Sequence, residues 1–546
     1  MKFPALFFLV FSVVQLNAQT QFEDRIEALL VEVLPDATGP GLTVGVVKEG
    51  QMIYLGSRGN MNLEYKLPFN DSTMIELASV TKQFTAACIG VLVEQGKLSL
   101  NQDVRTVVPE LPFYGDTIRI RHLLNHTSGI RNHNVLLDLK GFDYAHRGYT
   151  NEMIEELMFR QMGINNAPGE KMLYSNTNYV LLKLIVERVS GQSIHEFSER
   201  NLFSPMGMNN TFFIRDLEIL IPNRAYSYYA TDDGYRQPKS LTLCLGAGGM
   251  KSTISDLLSW SQILLDPAED LSYLKAFLTD RDTLNNGQLL QYGRGMFNSS
   301  YRNLSTYHHS GRDLGIRTQF IVVPGQELAV VVFTNAESIN AVNISYKILD
   351  LILPEAANAG TTRSTYTHSS EELHAFAGTY QELNSDLRMN IYVENDTLKT
   401  VSSMGSEASI LIAAAPGRFS RADSPQVRYS FDQTAGIGDL QVDFGGAIFY
   451  FERIQLADAP DQQLEAYGGR YYSEELDVEY LIGVEDGQLF LKYPNNYLLL
   501  SEGEPGVFGA NRRTRYSFRG TEESGIQSFE VAAEGTVKGI VFQKIE

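Results

Sequence analysis

Cysteine is scarce in this sequence: Cys88 and Cys244 are the only two in 546 residues. Two thiols so far apart do not make the disulfide framework of a small exported domain. Both have apolar neighbours, so both are expected to be buried and inert. Basic runs are also missing. Lys and Arg number 45 against 65 Asp and Glu, a formal net charge of -20 at pH 7. That balance argues against a nucleic-acid partner or an anionic membrane surface, both of which need a cationic footprint. Beyond the first residues, no stretch is long and apolar enough for a transmembrane helix. No His/Cys cluster has ligand spacing, so neither a metal nor another cofactor is expected. Gly-x-Ser-x-Gly and His-Glu-x-x-His are absent, which sets aside two common hydrolase plans. Trp260, the single tryptophan, is expected in the core.

What is present begins with an address. Lys2, an apolar run from Phe3 to Val14, and Leu16-Asn17-Ala18 read as a signal peptide over residues 1–18, implying export to the periplasm or beyond. Residues 19–354 alternate helical and strand-like patterns. Leu42 to Val47 and Gln51 to Leu55 form a hairpin pattern around Glu49-Gly50, and Phe320 to Val323 and Leu328 to Phe333 flank Pro324-Gly325. Apolar residues from Val80 to Leu92 recur at helical spacing, as do those from Tyr179 to Val189. Ile344 to Leu353 reads as a closing helix. A polar stretch without periodicity, 355–371, reads as a linker.

The remainder is strand-rich and repeats itself. Phe376-Ala377-Gly378-Thr379-Tyr380 is echoed by Tyr467-Gly468-Gly469-Arg470-Tyr471, and Arg428-Tyr429-Ser430-Phe431 by Arg515-Tyr516-Ser517-Phe518. Two all-β, barrel-like modules are expected, 372–458 and 459–546. They are as readily structural appendages as gates over a site.

The chemistry centres on Ser79-Val80-Thr81-Lys82. Residues three apart on a helix share a face, so Lys82 can reach the Ser79 hydroxyl. A serine alcohol needs a base, and lysine serves only when burial or neighbouring cations lower its pKa. A second copy, Ser272-Tyr273-Leu274-Lys275, shows how weak the bare pattern is. Context favours the first: Ser79 opens a helix of apolar periodicity, whereas Ser272 follows an acidic, irregular stretch. By the same test Tyr174-Ser175-Asn176, running into a helix, stands out among four Tyr-x-Asn occurrences. His309-Ser310-Gly311 precedes hairpin strands whose N–H groups could face a substrate.

Ile120 to Gly129, Pro168 to Asn176, Gly246-Ala247-Gly248-Gly249-Met250 and His309-Ser310-Gly311 stand in an order that resembles the penicillin-recognising serine hydrolases. The likeness is to the branch of class C β-lactamases, D-alanyl-D-alanine carboxypeptidases, D-aminopeptidases and esterases. It covers roughly Phe22 to Leu353 and implies an α/β catalytic domain of β-lactamase/transpeptidase-like type. In that fold an antiparallel sheet is flanked by helices with a helical subdomain, here followed by all-β modules. The resemblance makes Ser79 the nucleophile and Lys82 with Tyr174 the proton carriers. It makes Asn176 a ligand of the substrate amide and of Lys82, and it puts His309 where β-lactamases have the lysine of Lys-Thr-Gly. The N–H groups of Ser79 and Arg312, beside Gly311, become the oxyanion hole. His122 and His126 are expected to be scaffold. No Lys-Thr-Gly occurs in the chain, which counts against efficient β-lactam turnover. Arg312, Asp313 and Arg317 bring charge to the site, Arg317 as a contact for a substrate carboxylate. The implied substrate is a small molecule or short peptide, most readily a D-amino-acid peptide. A carboxylesterase, a weak β-lactamase and a non-catalytic binder that keeps the pocket remain as alternatives, and the oligomeric state is left open.

Overall fold

A computed structural model describes residues 22–144, 146–238, 241–353, 366–383, 387–402, 408–425, 427–431, 438–444, 448–454, 464–509, 514–521 and 525–545. The expected signal peptide and most of the expected linker lie outside the described residues.

Six strands build the catalytic sheet: β1 (Leu42–Lys48), β2 (Gln51–Arg58), β3 (Phe297–Tyr301), β4 (Leu304–Asp313), β5 (Ile316–Val323) and β6 (Leu328–Thr334). Their order is β3-β4-β5-β6-β1-β2, and every neighbour is antiparallel. The two hairpins read from turn chemistry are thus joined through β1 and β6, where Leu42 faces Thr334. Val and Leu dominate both faces of β1 and β6 because each face is covered. On the outer face a helix over residues 22–33 and the helix Ala341–Ile352 bury Ile26, Leu30, Ile344 and Ile348 against Val44 and Val332.

The inner face meets the helical part: α1 (Lys82–Glu94), α2 (His133–Leu139), α3 (Asn176–Ser190), α4 (Ile254–Leu265) and α5 (Ser272–Thr279). The sequence pattern gives α1 one apolar face, but Lys82 through Leu92 are all buried. The reason is position. α1 runs through the middle of the domain, with α3, α4 and α5 around it and Trp260 tilted against Phe84 at 4.4 Å between centroids. The Trp260 indole donates to Gln83 Oε1 at 2.6 Å, so even its polar edge is satisfied inside. α3 ends at Gly191, whose φ of 70° supplies the left-handed cap.

A short helix, Ser370–Phe376, opens at a capping box of Ser369 and Glu372, so ordered structure starts just inside the expected linker. Two closed eight-stranded antiparallel barrels follow, from Gly378–Glu382 to Ile448–Ile454 and from Gly469–Ser473 to Val537–Lys544. The echoed sequences occupy equivalent places. Tyr380 donates to Phe376 O at 2.9 Å in one barrel, and Tyr471 to Tyr467 O at 2.8 Å in the other.

The barrels differ in what they touch. The core of the first is drawn from Leu373 to Phe451 alone. The core of the second is continuous with Val135, Leu136, Leu137 and Leu139 of α2. Arg131, at the foot of α2, forms a buried ion pair with Glu475 and donates to Lys538 O and Gly539 O at 3.0 Å each. Among the described residues no helix is long and apolar enough to cross a membrane.

Candidate active site

Ser79 lies in the single turn Ala78–Thr81, which passes directly into α1. At the second position of this turn its N–H has no intrahelical carbonyl to bond, which leaves a donor beside the hydroxyl. Ala78 just before it has φ +48°, a left-handed conformation that costs a non-glycine residue roughly 1–2 kcal/mol. Neighbours on two sides hold the strain. Leu77 N donates to Met250 O at 3.0 Å, and Thr318 Oγ1 on β5 donates to Leu77 O at 2.9 Å.

Lys82 is fully buried, with Nζ 3.1 Å from Ser79 Oγ and 2.9 Å from Ala247 O. Among the described residues no carboxylate pairs with it; the rings of Tyr174 and Tyr179 flank it at 5.1 and 5.7 Å. Desolvation therefore governs, and burial pulls its pKa down to about 7. A neutral amine held by Ala247 O keeps a lone pair for the Ser79 proton. Such an amine is a base already in contact with its substrate proton.

The Tyr174 hydroxyl also hydrogen-bonds with the Ser79 side chain. Burial raises its pKa well above the usual phenol range, so it stays protonated. His126, read from sequence as scaffold, packs its ring 4.3 Å from that of Tyr174. Its Nδ1 accepts from Ser175 N and Asn178 Nδ2, each at 3.2 Å, which assigns the proton to Nε2. It is scaffold in direct contact with the phenol.

Three expectations are corrected. Asn176 is not a partner of Lys82, because Ala247 O occupies that position. Asn176 Nδ2 instead donates to Asn134 Oδ1 on α2 at 2.7 Å, and Asn134 Nδ2 donates to Tyr149 at 2.9 Å. Arg317 is not free for a substrate carboxylate, since it and Arg312 both pair with Glu337. Cys244 is not buried: it is partly exposed and lines the cleft, while Cys88 is buried. Its thiol is nevertheless unreactive, since desolvation pushes it up to about 12.

His309 is buried with both nitrogens engaged. Nδ1 lies 2.7 Å from Ser310 O and Nε2 3.2 Å from the Tyr292 hydroxyl. Burial, then the nearby Lys82, lowers its pKa to about 3. It is therefore a neutral support and cannot replace the cation of Lys-Thr-Gly.

Gly311 is required by close approach. A Cβ there would fall 2.3 Å from Leu77 O and 2.1 Å from Thr318 Oγ1. This absence of a side chain brings β4 against the turn that carries Ser79, with Arg312 next along the strand.

The cleft in front of Ser79 has a volume of about 780 Å³ and is walled by Asn134, Asn176, Tyr149, Arg312 and Asp313. Sequence reasoning missed Asn134, Tyr149 and the ion pair of Glu76 with Lys251, 3.1 Å apart on its floor. It also missed Ala247, whose carbonyl is a backbone group with no side-chain signature.

A serine joined to a near-neutral lysine and a phenol, in a cleft between an antiparallel sheet and a helical layer, defines a serine hydrolase. The chain belongs to the beta-lactamase family, whose model matches residues 24–351. Penicillin-binding protein 4* of Bacillus subtilis (strain 168) is 32% identical over 317 residues, spanning 54% of this chain and 68% of that protein. A D-aminopeptidase of Gluconobacter oxydans (strain 621H) is 25% identical over 460 residues, 84% of both chains. Among solved structures, the octameric penicillin-binding protein homologue from Pyrococcus abyssi matches with a TM-score of 0.54 at 21% identity. That match covers 95% of this chain and 99% of the other. D-amino acid amidase from Ochrobactrum anthropi SV3 matches with a TM-score of 0.51 at 21% identity, over 60% and 99%. At these identities the structural matches show the shared fold.

Proposed function

We propose that the protein hydrolyses the amide bond of small D-amino-acid peptides or amides through an acyl-Ser79 intermediate. The observation that carries the chemistry is Lys82, with a pKa of about 7 and its nitrogen 3.1 Å from Ser79 Oγ. In the forward step neutral Lys82 takes the Ser79 proton as Oγ bonds to the carbonyl carbon. The oxyanion develops toward the N–H groups of Ser79 and Arg312. Collapse breaks the C–N bond, and the departing amine receives a proton through Tyr174, which is re-protonated from Lys82. Water then enters by the same relay in reverse roles, releasing the acid and restoring Ser79.

The choice of an amide of a D-amino acid rests on the D-aminopeptidase similarity, which at 84% of this chain extends beyond the catalytic part. The neutral, engaged His309 weighs against a β-lactam, whose carboxylate would meet no cation at that position. Residues 1–18 support an exported location for this activity.

The test is a panel of D-aminoacyl anilides, D-Ala-D-Ala peptides, short-chain esters and a chromogenic cephalosporin. Turnover led by the D-aminoacyl compounds is expected. Turnover of the cephalosporin alone would overturn the reading, and absence of fluorophosphonate labelling in the folded protein would overturn the enzyme itself.

A further inference from the structure

Four of the six charged side chains that line the cleft are already paired. Glu76 and Lys251 pair with each other, and Glu76 also accepts from Gly249 N at 2.9 Å. Arg312 turns away to Glu337. Asp138, on α2, accepts a hydrogen bond from Tyr144. Arg224 also faces the cleft, with its side chain exposed. Besides that arginine, the one carboxylate lining the cleft with no ion pair or hydrogen bond among the described residues is Asp313.

Its direction follows from the strand. Residues 309, 311 and 313 share one face of β4, opposite to Arg312. At Gly311 that face lies against the nucleophile turn, where a Cβ would be 3.2 Å from that of Ala78. Asp313 continues the same face into open cleft. Its negative charge reaches Cys244 and Tyr149 on the other wall and contributes to raising both. A lone carboxylate lacks the oxygen set a metal ion needs. It does suit an ammonium, which gains charge-assisted hydrogen bonds from it.

The position also matches a reaction coordinate. The amine of an aminoacyl group sits one carbon from the scissile carbonyl. Asp313 sits one residue, about 3.8 Å along the backbone, from the N–H expected to hold that carbonyl's oxygen. Leu217, Leu314 and Ile316 line the same cleft and offer apolar surface to the amino-acid side chain.

We infer that Asp313 recognises the free α-ammonium group of an aminoacyl substrate, so that the enzyme selects acyl groups carrying an unblocked amine. This rests on the acyl-transfer reading of the cleft and narrows it from peptides in general to those entered from their amino end.

The experiment compares D-alanine p-nitroanilide with propionyl p-nitroanilide, which lacks only the amine, in the wild type, Asp313→Asn and Asp313→Glu. Unfolding midpoints establish that each variant is folded, and Asp313→Glu carries the test should Asp313→Asn fail to fold. The wild type should prefer the amine by about tenfold or more in kcat/KM. Asp313→Asn should reduce the preference to within about threefold, chiefly through KM, and Asp313→Glu should retain part of it. A preference that survives Asp313→Asn, or a wild type indifferent to the amine, overturns the inference and leaves the peptidase reading intact. Turnover of p-nitrophenyl acetate with neither anilide sinks the peptidase reading, and this inference with it.

Discussion

Two Ser-x-x-Lys tetrads lie in this chain, each beginning near the start of a helix, and only one of them has a nucleophile's surroundings. In the first, Lys82 is buried beneath Ser79 and the two side chains meet at 3.1 Å. In the second, Ser272 is exposed and donates to Glu269 O, while Lys275 reaches back to Leu265 O at 2.9 Å. α5 packs through Leu274, Phe277 and Leu278, so its serine necessarily faces water. The difference teaches that spacing creates the possibility of contact, while burial of the amine creates a base. A buried cation with a partner behaves otherwise. Arg131 is as enclosed as Lys82 but has Glu475 against it, and its role is to dock the second barrel onto α2.

The contrast breaks most sharply at the hydroxyl. Ser79→Ala should abolish fluorophosphonate labelling and lower kcat/KM by roughly 10⁴-fold or more, whereas Ser272→Ala should leave both within about twofold. Labelling that persists in Ser79→Ala would mean that the nucleophile is another serine. Glu475→Ala strands the Arg131 charge and should cost about 3–5 kcal/mol in urea unfolding. An unchanged midpoint would deny that the second barrel braces the cleft wall.

Tyr174→Phe keeps the ring and removes the proton relay, so kcat should fall about 100-fold or more with the fold intact. A loss confined to KM would assign the phenol to binding alone. A smaller effect is expected from pH. Because burial sets the Lys82 pKa at about 7, kcat/KM should rise about tenfold per pH unit below that value and level off above it. The stability term has the same sign. The unfolded lysine titrates near 10.4, so between about pH 7 and 10 the unfolded chain holds a proton that the native state lacks. Stability from this group therefore increases with pH across that window, and Lys82→Met should flatten the increase in urea midpoints. The least effect belongs to Lys275→Ala, which loses one hydrogen bond to Leu265 O and should cost about 1 kcal/mol with activity unchanged.

The elements most legible beforehand were those with local causes. The hairpin around Glu49-Gly50, the turn at Pro324-Gly325 and the stop at Gly191 each follow from residues that fix their own backbone. The repeat of the two barrels was visible because the same tyrosine closes the same turn in both. Contacts made across the fold were not legible in this way. Asn176 was read as a partner of Lys82, but the place was taken by a carbonyl from a loop 165 residues away in sequence. The resemblance puts His309 in the place of a lysine, yet enclosure by Tyr292 and Ser310 keeps it neutral. Cys244 sits among apolar neighbours in sequence, and its edge still opens on the cleft.

By itself the sequence determined that a hydroxyl and an amine would stand one helical turn apart, because helix geometry needs only the intervening residues. It determined as well that two strand-rich repeats would follow the catalytic part. Which tetrad becomes reactive, what holds the amine and which carboxylate is left unpaired were decided by the tertiary structure alone. Desolvation and partner supply depend on atoms far apart in the chain, and only folding brings them within reach.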